Sequence, residues 1–162
     1  MAKLTEHRTV IKVMQRKTIG QAGSPMRLSL EEMRRLCLEA GADDVGVVGI
    51  ERHELDGQRD DILRHFPPTR TLISFVCRMN REPIRSPARS VANLEFHDAG
   101  HRVDEVAHRV VAALEARGVR ALNPAMGFPM EMDRFPSKIW VVAHKPVAEA
   151  ATHMPESDAG TV

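Results

Sequence analysis

Cysteine is scarce here: two in 162 residues, and that scarcity removes two classes of protein. Cys37 and Cys77 stand far apart in the chain, each inside an apolar pattern. This argues for buried thiols in a reducing compartment over a disulfide framework. An iron–sulfur cluster with four protein thiolates needs four cysteines, so the chain cannot complete one by itself. Charge of one sign is also missing. With 23 Lys plus Arg against 22 Asp plus Glu, the formal charge is +1, and no strong field gathers nucleic acid or an anionic membrane surface. No apolar run approaches the roughly 18 to 20 residues that span a bilayer. The basic stretch 1–17 lacks the apolar core of about seven residues or more that a secretory signal carries. The expected location is cytoplasmic. There is no internal repeat and no low-complexity block.

A chain of 162 residues is one ordinary domain, able to bury about two thirds of its unfolded surface. The organisation expected is an N-terminal arm over 1–28, a domain over 29–151 and a polar tail over 152–162. Within the arm, residues 9–14 read as a strand and 20–25 as a connector. The domain opens on Ser29 followed by Glu32, a capping box, with Leu30, Met33, Leu36, Cys37 and Ala40 at helical spacing and Gly41 closing the helix.

Residues 45–50 form a short apolar run with two glycines, the pattern of a buried strand where another backbone or a ligand comes close. A helix is expected over 56–66, cut off by Pro67-Pro68, then a second buried strand over 72–76. Residues 81–87, with two prolines and two arginines, read as a loop. One long amphipathic helix follows from about residue 94 to 117. Phe96, Ala99, Val103, Val106, Val110 and Leu114 form its apolar stripe and Gly118 its end. Residues 119–122 and 139–142 read as third and fourth short strands, and Pro146 sits in the first turn of a last helix.

His97, His101, Asp104 and His108 fall within about 60° of one another on the long helix, away from its apolar stripe. Imidazoles with a carboxylate suit zinc or iron. The same residues also fit a solvated helix face, and no ligand from a second segment is evident. His144 and Lys145 precede a proline-started helix, where an anionic group would be met, or where they simply lie exposed. Met126, Met130 and Met132 would line an adaptable pocket or fill gaps in a core. Arg78-Met79-Asn80 at a strand end would place a guanidinium and an amide in a cleft, or cap the strand.

Three stretches resemble the N-terminal half of epoxyqueuosine reductase and its relatives among the corrinoid and iron–sulfur reductases, which include reductive dehalogenases. They are residues 30–51, with Glu39-Ala40-Gly41-Ala42 and Val45-Gly46-Val47-Val48-Gly49-Ile50; residues 71–80, ending in Cys77-Arg78-Met79-Asn80 with Pro83 beyond; and residues 93–118. The last is followed by Leu122-Asn123-Pro124-Ala125 and by the run from Ser137 to Ala151 around His144-Lys145-Pro146. The resemblance covers roughly residues 28–151. Beyond Ala151 the related proteins continue into a glycine turn and a cysteine-rich cluster domain, whereas here residues 152–162 are polar.

The resemblance implies an α+β fold, a nitroreductase-like corrinoid-binding module with a central sheet flanked by helices. It also implies a cobalamin cofactor near Arg78, Asn80, Asn123, Met126, His144 and Lys145, and a ferredoxin-like electron donor in place of clusters within the chain. In that family an acid in a Val-Asp-Ser-Ala-Pro motif protonates the substrate. The matching stretch here is Ala121-Leu122-Asn123-Pro124-Ala125, and Asn123 offers a carboxamide that has no titratable proton to give. Asp133 lies ten residues on. The function expected is therefore the cofactor-binding part of a reductive oxidoreductase. Two alternatives stand beside it: a non-catalytic truncated domain or interaction module, and, by fold analogy, a flavin-binding nitroreductase-like protein.

Overall fold

A computed structural model describes residues 28–124 and 139–152. The strand expected over 9–14, the connector after it, Met126, Met130, Met132, Asp133 and most of the polar tail lie outside the described residues. Within them the chain is α+β. Helix α1 spans Leu30–Ala40, strand β1 Asp44–Gly49, helix α2 Asp56–His65 and strand β2 Thr71–Val76. Helix α3 spans Arg81–Arg85, α4 Arg89–Ala116 and α5 His144–Thr152, and a 3-10 turn at His53–Leu55 leads into α2.

The first helix forms as its sequence requires. The Ser29 hydroxyl accepts from the Glu32 amide, and the Glu32 carboxylate accepts from the Ser29 amide at 2.8 Å. Gly41 ends the helix at φ 113°, a left-handed conformation that side chains with a Cβ resist. β1 and β2 then pair antiparallel, with Val45 opposite Phe75, Val47 opposite Ile73 and Val48 opposite Leu72. A two-stranded ribbon alone is marginal in water. Here helices cover both of its faces.

Because side chains alternate along a strand, Val45 and Val47 point to one face with Ile73 and Phe75. There they join Met33, Leu36, Cys37 and Ala40 of α1 and Val106, Val110 and Leu114 of α4. Val48 and Leu72 point to the other face and meet Leu55, Ile62, Val142, Val147 and Ala150. Val48, Leu55 and Cys37 are fully buried, and burying a side chain of the Val or Leu kind contributes about 1.5–3 kcal/mol. Gly46 shares the second face. A Cβ there would stand 2.7 Å from the Ala151 Cβ and 3.1 Å from the Ala151 carbonyl oxygen, so the glycine is what lets α5 lie against the strand.

Four expectations need correction. Residues 81–85 are helical and not a loop: Pro83 falls in the first turn, where a missing N–H costs no intrahelical bond. The long helix begins at Arg89, ahead of residue 94. Val106, Val110 and Leu114 are buried on it as expected, but Val103 is only half-buried and Phe96 is 65% exposed. The apolar stripe therefore outruns the core that covers it. Residues 119–122 and 139–142 are not strands. Val119 and Ala121 pack on the first cluster and Val142 and Trp140 on the second, so these segments bury side chains without joining the sheet. Among the described residues the central sheet has two strands.

Candidate functional site

The end of β2 delivers the chain into a corner built by ion pairs. The Asp43 carboxylate, just before β1, accepts from the Arg78 amide at 2.7 Å and from the Arg78 guanidinium at 3.1 Å. It also accepts from Arg102 of α4 at 2.6 Å, and Arg102 donates in addition to the Arg78 carbonyl. One residue past Met79, the Asn80 amide and side-chain NH2 both donate to Glu95 of α4, at 2.6 and 3.1 Å. The carboxyl of Asp43 is held below its usual range, first by the Arg78 backbone amide and then by the side chains of Arg78 and Arg102. The corner is thus fixed from behind. In front, the Arg78 side chain is 84% exposed and Met79 is exposed as well.

Two of the expected site residues, Arg78 and Asn80, therefore sit together against α4, held by Arg102 and Glu95. The other pair does not join them. His144 and Lys145 are exposed in the first turn of α5, on the opposite layer of the sheet, where α5 packs through Val147 and Ala150. Gln58 of α2 holds the entry to that helix, accepting from the Ala143 amide at 3.0 Å and donating to the Ala143 carbonyl at 3.2 Å. Near the end of α2, His65 stacks on Trp140 with ring centroids 4.8 Å apart, and Arg120 stands over the Phe66 ring. Asn123 is exposed. Met126 lies outside the described residues.

Asp43, Glu95 and Arg102 organise the corner, and sequence reasoning passed over all three. Glu95 and Arg102 are seven residues apart and so share a face of α4. That spacing is the one signal of the corner that the sequence carries. His97, His101, Asp104 and His108 are all exposed on α4, and no group of three or more His, Cys, Asp or Glu is placed to hold a metal ion among the described residues. Cys37 is buried in the first cluster, and burial pushes its thiol up to about 11, which keeps it protonated and unreactive at neutral pH. Cys77 is half-buried and also free. No helix among the described residues is long and apolar enough to cross a membrane.

Compared with known proteins, the chain matches no family model, no curated protein and no solved structure.

Proposed function

We propose that this chain is the corrinoid-binding part of a cytoplasmic reductive oxidoreductase of the epoxyqueuosine reductase-like group, a nitroreductase-like module fed by a separate ferredoxin-like donor. A bound corrinoid would supply the electron chemistry, and the protein would supply the pocket and its polarity. The observation that carries the reading is the Arg78-Met79-Asn80 corner, pinned from behind by Asp43, Glu95 and Arg102 and open in front. A flat macrocycle rimmed with amides and carrying a phosphate asks for such a surface: an apolar thioether for the ring, a cation for the phosphate, and an amide for the rim. Asn80 gives its NH2 to Glu95, which leaves its carbonyl oxygen to accept. His144 and Lys145, exposed on the other layer, would serve as a second contact region.

Isothermal titration with cobalamin, followed by flavin mononucleotide, tests this. The expected result is a cobalamin Kd of about micromolar or tighter, near 8 kcal/mol, weakened by Arg78→Ala, by Asn123→Leu, or by His144→Ala with Lys145→Ala. Preference for the flavin would favour the nitroreductase-like alternative. No heat and no spectral shift with either ligand up to about millimolar, near 4 kcal/mol, would overturn both cofactor readings and leave a non-catalytic domain.

A further inference from the structure

We propose that the exposed face of α3, flanked by Arg78 and Arg89, docks an acidic electron-carrier protein; this rests on the reading above and names the partner for that corner. The charge of the chain is unevenly placed. Residues 78–89 hold four arginines, Arg78, Arg81, Arg85 and Arg89, against the single acid Glu82, a formal +3 in a chain of +1, of which the Arg78 charge is met by Asp43. The remainder is therefore slightly acidic.

At about 100° per helical residue, Arg81, Ile84 and Arg85 share one side of α3, and Pro83 lies on the far side. Pro83 is half-buried, whereas the other three are exposed, in keeping with a helix packed on α4. Arg34, Arg59, Arg64, Arg78, Arg102 and Arg109 each hold a carboxylate of this chain. Arg81 and Arg89 hold none among the described residues, and Arg85 reaches Glu82 only at 3.9 Å. Their charge is left for a partner.

Ile84, at 46% exposure on the same side of the helix as Arg81 and Arg85, adds apolar area among these cations. Arginine and apolar side chains together, with no lysine in the stretch, match the composition of protein interfaces. A duplex would instead ask for a row of cations along phosphates, without an apolar centre. The Asn80–Glu95 contacts fix the start of α3, so little ordering is left to be done on binding. A carrier seated here would stand beside the Arg78–Asn80 corner, which shortens the path for its electron.

Binding of the cofactor-free chain to an acidic [2Fe–2S] ferredoxin, followed by fluorescence anisotropy, tests the proposal, with a DNA duplex as the competing polyanion. The expected result is saturable binding to the ferredoxin, weaker by at least about tenfold when salt rises from about 0.05 to 0.3 M. The pair Arg81→Glu with Arg85→Glu should lose about tenfold or more in affinity, Ile84→Ser should lose a smaller factor, and Arg64→Glu on α2 should bind as the parent does. Circular dichroism should be the same for all, because every changed side chain is exposed. No saturation by about 100 µM would overturn the proposal, as would equal loss with Arg64→Glu or tighter binding to the duplex. The assay contains no corrinoid. Cobalamin binding without docking would therefore sink only this inference, and docking without cobalamin binding would uphold it while sinking the cofactor reading.

Discussion

The two faces of the β1–β2 ribbon are built in different ways. On the face of Val45 and Val47, two long amphipathic helices with well-marked ends supply the cover: α1 between its capping box and Gly41, and the C-terminal half of α4 before Gly118. On the face of Val48, the cover comes from a 3-10 turn, a short helix, an unpaired segment around Val142, and α5, drawn from well-separated parts of the chain. The first face rests on local order that each segment makes for itself. The second rests on fit between segments, above all the approach of Ala151 to Gly46.

The first comparison can be broken hardest at Val106, which is 2% exposed on α4 and packs with Met33 and Val110. Val106→Asp places a carboxylate there without a partner and should cost about 3–5 kcal/mol in urea unfolding. On the same helix, Leu94 is 61% exposed, and Leu94→Asp should change stability by less than about 0.5 kcal/mol. A loss at position 94 comparable to that at 106 would mean that the N-terminal half of α4 is covered as its other half is.

The second face should break at one methyl group. Gly46→Ala would drive a Cβ to 2.7 Å from that of Ala151, and shifting α5 to relieve it should cost about 1–3 kcal/mol. Gly49, three residues along the same strand, meets nothing within 4 Å, so Gly49→Ala should stay within about 0.5 kcal/mol of the parent. Equal melting temperatures for the two variants would show that α5 is not held against the strand.

This contrast also explains what was legible in the sequence. The capping box, Gly41, both strands and the buried phase of Val106, Val110 and Leu114 were readable because each is a local pattern with one physical solution. Residues 119–122 and 139–142 have the apolar character of strands. Whether they pair depends on a sheet edge elsewhere, and no local signal carries that. Phe96 has the right phase to be buried and is not, because periodicity gives a direction and not the length of the partner. At the candidate site Arg78 and Asn80 are marked out by their place after a strand. Their anchors Asp43, Glu95 and Arg102 carry no such sign: the spacing of Glu95 and Arg102 marks a shared helix face, but what that face meets is decided only by folding.

The smallest effect expected lies at that corner and depends on pH. The Asp43 carboxyl is depressed in the folded chain, while its unfolded value is about 3.9, so the ionised carboxylate contributes stability that is fully present above the unfolded value. That contribution is lost as the pH falls through the lower folded value. Asp43→Asn should therefore unfold at lower urea than the parent at pH 7, and the gap should close as the pH is taken toward about 3 and below. The difference between the two proteins is the quantity to follow, because Glu32, Asp44 and Glu54 are depressed as well and will weaken both in acid. Salt separates the causes. The Arg78 amide is the largest contributor and the guanidinium charges of Arg78 and Arg102 come after it. Raising the ionic strength to about 1 M, where screening acts over about 3 Å, should therefore narrow the gap at pH 7 only in part. A gap that is the same at pH 7 and pH 3 would show that Asp43 does not act through its charge, and a gap abolished by salt would show that the amide bond contributes little.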